Sequence, residues 1–191
     1  MEALFHLLFQ LLKILILASF YSTLIILILL IFLRIRPISR LEKVNKEKKK
    51  YWFISGIIFS IILFIYSFTY WGNHGLGDSA RIPIGYFKEV GEINGTDAYI
   101  KPRNYPYGNL LVDCFRTSEN YLLGTTKPST VDWPKPYFSW YLSKDHIIFF
   151  DSELEYSEHL KAIGLSKITR CKTFRENYKD YWGGLRFWLL P

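Results

Sequence analysis

Two long apolar stretches, separated by a short basic segment, constrain the fold of this 191-residue chain more than any other feature. Residues 14–33 and 51–71 contain no Lys, Arg, Asp or Glu. A helix rises about 1.5 Å per residue, so about twenty such residues cross the hydrocarbon core of a bilayer. The pattern therefore predicts an integral membrane protein whose two transmembrane helices form a hairpin.

The basic segment sets the predicted orientation. Between Arg34 and Lys50 there are eight Lys or Arg residues and two Glu residues. Short loops rich in Lys and Arg stay on the cytoplasmic side of a membrane, so both helices would run outward from this loop. We predict a first transmembrane segment within 1–34, a cytoplasmic loop at 35–50, a second transmembrane segment at 51–71 and an extracytoplasmic domain at 72–191.

The same orientation places the N-terminus and the domain outside the cytoplasm. A cleaved signal peptide carries its positive charge before the apolar run, whereas here the charge follows it, so we expect the first helix to be retained. The frequent Ile, Lys, Asn and Tyr residues favour an AT-rich bacterial genome. We therefore expect a bacterial inner-membrane protein with a periplasmic domain.

Net charge excludes one class of partner. The formal charge of +7 comes from the membrane part, because residues 1–71 carry nine Lys/Arg and three Asp/Glu, while residues 72–191 carry fifteen and fourteen. A nucleic-acid-binding protein carries its basic patch on the folded domain. We therefore expect the lipid bilayer as a partner and no nucleic acid.

Polar residues recur at helical spacing near the start of the first apolar stretch. His6, Gln10 and Lys13 share one stripe of the predicted helix. Such a stripe is typical of a helix that overshoots the bilayer, with the Lys13 ammonium extended to the interface. The alternative is contact with a partner helix or a wet cavity inside the membrane, as in a channel subunit. Small residues in both helices fit either a close hairpin or a homo-oligomer.

The predicted domain has an α+β fold. Alternating apolar residues and turn signals, among them Asn94-Gly95, predict an antiparallel sheet of about six strands. Capping-box patterns at Ser152 and Thr173 then predict two short helices. The apolar segment 185–191 is expected to pack as a last strand or a docked tail.

The two cysteines, Cys114 and Cys171, fall in the domain that we expect in an oxidising compartment. They form either a disulfide or two buried free thiols. No His or acidic residues surround them with zinc-ligand spacing, so we expect no metal and no cofactor.

A glycine-rich segment follows the second apolar stretch. It is typical of a flexible hinge, and the alternative is an anion-binding loop formed with His74, Asp78, Ser79 and Arg81. Gly77-Asp78-Ser79 also resembles the GDS block of the SGNH hydrolases, in which the Ser is the nucleophile. That resemblance covers three residues, since the Asp-x-x-His and Gly-x-Asn-Asp blocks of the family do not occur in this sequence.

Aromatic residues are dense between Trp133 and Phe150. Tyr137, Trp140 and Tyr141 form a candidate aromatic binding face, and packing in the core is the alternative.

These patterns favour a membrane-anchored accessory or interaction protein rather than an enzyme. Its expected partner is another membrane or envelope protein. A ligand-binding or sensing domain that uses exposed aromatic residues is the alternative. A hydrolase, a channel subunit and an immunity-type membrane protein rank below it.

Overall fold

The computed structural model describes residues 2–35, 42–72, 79–93, 95, 97–128, 135–165 and 170–191. The chain forms two compact units. We call Met1–Gly77 together with Leu185–Pro191 the helical unit, and Asp78–Gly184 the sheet unit.

The described helices and strands follow one another along the chain as α1 (Glu2–Ile35), α2 (Glu42–Lys46), α3 (Lys48–Ser67), β1 (Ser79–Gly85), β2 (Lys88–Ile93), β3 (Asp97–Ile100), β4 (Leu110–Thr117), β5 (Tyr121–Thr126), β6 (Tyr137–Tyr141), β7 (His146–Phe150), α4 (Glu153–Ala162), α5 (Phe174–Trp182) and α6 (Leu185–Leu189).

In the helical unit, α1 and α3 pack side by side as an antiparallel pair. Small residues allow the close approach, because a Cβ added to Gly56 in α3 would lie 3.5 Å from the Ser22 hydroxyl in α1. Trp52 donates its indole N–H to Thr23 Oγ1 at 3.0 Å. Nearer the end of α3, Leu63 packs with Ile14, Leu17 and Ala18. These residues lie about one to two turns before Ser22 in α1.

Both long helices have the composition of membrane spans. Leu7–Ile35 and Lys48–Ser67 are long and apolar enough to cross a membrane. Only 28% of the most apolar stretch of the first and 11% of that of the second is buried. Most of their Leu, Ile and Phe side chains therefore point away from the protein.

The sheet unit contains an antiparallel sheet of seven strands in the order β1-β2-β3-β4-β5-β6-β7. Each strand pairs with its neighbour in sequence, so the sheet is an antiparallel meander. One sheet face carries the main core, in which Phe115, Phe138 and Trp140 are almost fully buried. Helix α5 covers part of this face through Phe174.

A bulge in β4 divides side chains between the two sheet faces. The register shifts between Val112 and Cys114, so Val112 and Phe115 both contribute to the main core. Cys114 pairs with Thr125 on the opposite face. Helix α4 lies on that opposite face and buries Leu160 there.

The α+β class and the antiparallel sheet confirm the prediction, but the strand count is seven rather than about six. The extra strand arises from a turn between β1 and β2 at Tyr86 and Phe87, both in the left-handed region with φ of 51° and 56°. Aromatic residues rarely adopt that conformation, so the turn signal at this point is limited to Gly85, whose φ is 96°.

Two element boundaries also differ from expectation. Helix α3 begins at Lys48 and ends at Ser67 rather than spanning 51–71. The segment after Gly184 forms the short helix α6, not a strand, and it belongs to the helical unit.

Candidate ligand-binding cleft

A cleft of about 310 Å³ lies between α4 and the strands β4 to β6. Its walls combine aromatic, apolar and charged side chains. They are Arg116, Leu123, Gly124, Thr125, Tyr137, Glu153, Tyr156, Ser157, Leu160, Lys161 and Cys171. A concave site with an apolar lining and few polar groups is the usual form of a small-molecule site.

Local sequence positions α4 above the sheet. Ser152 caps the helix by accepting a hydrogen bond from the Glu155 backbone N–H at 3.2 Å, so α4 starts directly after β7. Leu160 is 8% exposed against the sheet. The result is a helix held at its first turn by the cap and at its last turn by apolar contact.

Two tyrosines form the aromatic wall of the cleft. Tyr137 of β6 and Tyr156 of α4 stack with their ring centroids 5.2 Å apart and their planes 21° apart. Burial, and secondarily the neighbouring Tyr137, raises the pKa of Tyr156 to about 12. The Tyr156 hydroxyl therefore stays protonated at neutral pH and can serve as a hydrogen-bond donor to a ligand, not as a base.

Charge in the cleft is positive on balance. Arg116 and Lys161 contribute two cations against the single carboxylate of Glu153. Among the residues that the structure describes, neither Arg116 nor Lys161 forms an ion pair. Both cations therefore remain able to bind an anionic group.

A disulfide forms one end of the cleft. Cys114 and Cys171 are bonded, with their Cα atoms 5.5 Å apart. The bond is reinforced by backbone pairing between Phe115 and Lys172, with N···O distances of 2.8 and 3.2 Å. The amide of Asn177 also donates to the Phe115 carbonyl at 3.0 Å. The cleft end is thereby fixed to β4.

A serine and a histidine meet beside the cleft, yet they do not form a catalytic pair. Ser139 Oγ lies 3.1 Å from His159 Nε2. Ser139 is 2% exposed and sits in the middle of β6, paired with Leu123 on one side and Ile148 on the other. A nucleophile must reach its substrate and needs nearby oxyanion donors. We interpret this bond as a contact that ties α4 to the sheet.

The environment of His159 agrees with this structural role. Burial lowers the pKa of His159 below its ordinary value, so the ring is neutral near pH 7. The ring packs on Phe150 at a centroid distance of 4.9 Å.

The predicted aromatic face is divided between two environments. Tyr137 lines the cleft, and Tyr141 stacks on Tyr121 at 4.9 Å on the same sheet face. Trp140 is 1% exposed and belongs to the main core. It donates its indole N–H to Asp145 at 2.9 Å. Trp140 is therefore a core residue, because neighbouring residues of a strand point to opposite faces.

The predicted anion loop is not assembled by the residues that can be placed. His74 and Asp78 lie outside the described residues. Ser79 is exposed at the start of β1. Arg81 pairs with Glu89 at 3.4 Å, and its carbonyl accepts a hydrogen bond from Trp182. Ser79 and Arg81, the two members that can be placed, thus both belong to β1, and the anion loop stays a prediction.

The polar stripe of α1 is only partly visible. The His6 side chain lies outside the described residues. Gln10 is 8% exposed, and its amide nitrogen has no hydrogen-bond partner among the residues described. Lys13 packs over the ring of Phe187 in α6, with Nζ 4.7 Å from the ring centroid. The stripe therefore faces other parts of the helical unit.

Sequence reasoning missed Arg116, Lys161 and Tyr156 as cleft residues. The capping box predicted the helix that carries Tyr156 and Lys161, and alternation in β4 indicates that Arg116 and Cys114 share a face. The missing information was which sheet face α4 covers. That choice depends on contacts distant in sequence.

Comparison with known proteins gives no relative: no family model, no curated protein sequence and no solved structure matches the chain. Within the described part of the chain, no group of three or more His, Cys, Asp or Glu residues is placed to hold a metal ion.

Proposed function

We propose that this protein is a membrane-anchored binding module, which presents the sheet unit on the extracytoplasmic side of a bacterial inner membrane and holds an anionic ligand in the cleft beneath α4. The observation that carries the binding role is the cleft itself, with its stacked tyrosines and two cations that form no ion pair with any described residue. The anchoring role rests on the helical unit.

Exposed apolar side chains support the anchoring. On α1, Leu15 is 60%, Ile28 56% and Ile31 61% exposed, and Ile61 on α3 is 54% exposed. In water such a surface would drive aggregation, whereas in a bilayer it contacts acyl chains. The lysines at the start of α3 and the chain's basic segment favour a cytoplasmic position for the connection between α1 and α3.

The disulfide agrees with this orientation. Disulfides persist in oxidising compartments such as the periplasm and are rare in the cytosol. A Cys114–Cys171 bond in the sheet unit is therefore consistent with an extracytoplasmic location.

Topology can be tested by fusing a reporter that is active only in an oxidising compartment after Pro191, and in a separate protein within 42–46. We expect activity from the first fusion and none from the second. The reverse pattern would place the sheet unit in the cytoplasm and contradict the orientation.

The chemistry of the cleft defines the ligand class. Arg116 and Lys161 suit a carboxylate or phosphate. The stacked tyrosines and Leu160 suit an adjoining apolar or ring-shaped part, and the Tyr156 hydroxyl supplies a donor. We therefore propose a small anionic molecule, or an anionic group of an envelope component, as the ligand.

The test is thermal stabilisation of the full chain in nanodiscs by a panel of anionic and neutral ring compounds. A ligand at a hundred times its Kd stabilises the folded state by about 2.7 kcal/mol. We expect stabilisation by anionic members for the wild type and for Lys179→Gln, which changes an exposed lysine on α5. Arg116→Gln and Lys161→Gln should lose it. Equal responses in all four proteins would contradict a role for the cleft.

A second role, accessory protein in an envelope complex, is favoured by the turn between β1 and β2. Phe87 is 84% exposed at its tip. Holding a bulky residue in the left-handed region costs on the order of 1–2 kcal/mol, and such strain is concentrated at functional sites. An exposed aromatic side chain is also a frequent anchor in protein interfaces.

This second role predicts a partner that depends on Phe87. Purification from native membranes after crosslinking should recover a stoichiometric protein with the wild type and with Leu154→Ser, a control at another exposed apolar position. Phe87→Ser should lose it. Recovery of the chain alone from all three would count against the accessory role.

A further inference from the structure

Helix α6 lies beyond the sheet unit in sequence yet belongs to the helical unit. It follows Gly184, which has a φ of 61°. A residue without a side chain adopts that conformation readily. The glycine thus lies at the boundary between the sheet unit and α6.

Two contacts hold α6 against α1. The Tyr21 hydroxyl donates a hydrogen bond to the Leu189 carbonyl. The Lys13 ammonium lies 4.7 Å from the centre of the Phe187 ring, within the range of a cation–π interaction. Tyr21 and Lys13 are eight residues apart, so α6 lies along about two turns of α1.

The outer side of α6 is apolar and exposed. Leu185 is 76%, Phe187 50% and Trp188 72% exposed. The surface continues onto α1, where Leu12 is 56% and Ile16 62% exposed. Exposed apolar side chains thus occur on both of the helices that these contacts join.

The composition of α6 fits the edge of a bilayer. Phe and Trp next to Lys13 and Arg186 are the residue types that occupy the headgroup region, where aromatic rings lie at the boundary and cationic side chains extend to phosphates. Residues 181–191 contain no Asp or Glu that an anionic lipid surface would repel.

We propose that α6 is a second membrane attachment, an interfacial helix that packs on α1 and inserts Phe187 and Trp188 into the outer leaflet. This inference rests on the proposed membrane anchoring of α1 and α3. The lipid is the occupant that the structure favours over a second protein, because α6 packs directly on α1, whose exposed apolar side chains we assign to acyl chains.

A second attachment would connect the sheet unit to the bilayer through both of its chain ends, before Ser79 and after Trp182.

Site-directed spin labelling of the full chain in phosphatidylcholine–phosphatidylglycerol nanodiscs tests the attachment. All cysteines of the described chain are bonded, so a newly introduced cysteine would be the free thiol that reacts. We choose the exposed positions Trp188→Cys on α6, Ile28→Cys on α1 and Leu154→Cys on α4. The measurements are collision rates with molecular oxygen, which concentrates in lipid, and with a nickel chelate, which stays in water.

We expect the oxygen-to-nickel ratio at position 188 to be several-fold higher than at position 154 and close to that at position 28. A ratio at 188 equal to that at 154 would place α6 in water and overturn the inference while position 28 still supports the spanning helices. Low collision rates with both reagents at 188 would indicate a covering protein and also overturn it. A water-like ratio at 28 would reject the proposed anchoring itself. Leu185→Cys provides a second α6 position should Trp188→Cys not fold.

Discussion

The Cys114–Cys171 disulfide gives the sharpest test of how the sheet unit is stabilised. It closes a loop with a sequence separation of 57 residues. In the chain-entropy model, a closed loop of this length removes about 4 kcal/mol of conformational freedom from the unfolded state. Total stabilities are about 5–15 kcal/mol, so the bond supplies a large share.

We therefore expect Cys114→Ala/Cys171→Ala to lower the melting temperature of the sheet unit by roughly 20 °C, taking about 2.1 cal/mol/K per residue as the unfolding entropy of a unit of this size. The fold itself should remain, because the backbone pairing of Phe115 with Lys172 and the Asn177 hydrogen bonds still hold the segment. The assay is near-ultraviolet circular dichroism of the full chain in nanodiscs, heated with and without dithiothreitol.

The reductant supplies the internal control. It should lower the melting temperature of the wild type to that of the double variant and leave the double variant unchanged. If the wild type melted at the same temperature with and without dithiothreitol, and also matched the double variant, the two cysteines would not be bonded and both the energetic reasoning and the compartment argument would fail.

Four further changes test separate parts of the sheet unit. Gly124→Ala should destabilise it by about 1–3 kcal/mol or more in thermal melting, because the added Cβ would lie 2.3 Å from a backbone oxygen of β4. Phe87→Gly should change the free energy of unfolding by no more than about 1 kcal/mol, since relief of the left-handed strain is offset by the greater freedom of glycine in the unfolded chain; a larger loss would show that the contacts of Phe87 outweigh the strain. Burial alone would raise the pKa of Asp145, but hydrogen bonds from Lys88 and two other donors outweigh burial and lower the pKa. The stabilisation of the fold by ionised Asp145 should therefore be present above the ordinary pKa of an aspartate and lost as the pH falls. Asp145→Asn keeps the left-handed turn and should lower the free energy of unfolding by about 2 kcal/mol at pH 7. In thermal melts at acid pH, the variant and the wild type should have the same stability. The pKa of Tyr156 is raised to about 12 in the folded state. The contribution of the protonated Tyr156 hydroxyl to the free energy of unfolding is therefore complete below pH 10 and lost as the pH rises towards 12. Tyr156→Phe has no hydroxyl to ionise at this position, so it should unfold at a higher alkaline pH than the wild type.

Much of the fold follows from local sequence signals. The capping boxes at Ser152 and Thr173 predicted α4 and α5, and in the structure both side chains accept the expected backbone hydrogen bond. Alternation predicted antiparallel strands, and the neighbouring order of the sheet needs no long connection. These features rest on interactions within about ten residues, which is why sequence patterns record them.

The turn at Tyr86 and Phe87 shows a limit of the same reasoning. Turn residues are recognised because they tolerate positive φ at little cost, and two aromatic residues do not. The turn forms here because pairing of β1 with β2 on both sides holds it, with Gly85 opposite Lys88. Gly85, whose φ is 96°, is the local sign of this turn, but the two aromatic residues after it are typical of a strand, so one strand was missed.

The cleft could not be predicted for a related reason. Its residues come from β4, β5, β6 and α4, and they meet because α4 covers the sheet face that the main core does not use. The bulge in β4 decides which β4 side chains reach that face, by turning both Val112 and Phe115 to the core and leaving Cys114 and Arg116 opposite. One unpaired residue in β4 thus determines where the disulfide lies and where a cation enters the cleft.

For the segment 185–191 the sequence left two alternatives open, a last strand or a docked tail. Its apolar character predicts that it packs against something, but it does not indicate which part of the chain. Yet Tyr21 and Lys13, more than 150 residues earlier, supply the hydrogen bond and the cationic contact that hold α6. Lys13, one member of the polar stripe predicted on α1, is the cation over Phe187. One residue of the stripe and one residue of the apolar tail thus form a single contact that joins the two ends of the chain.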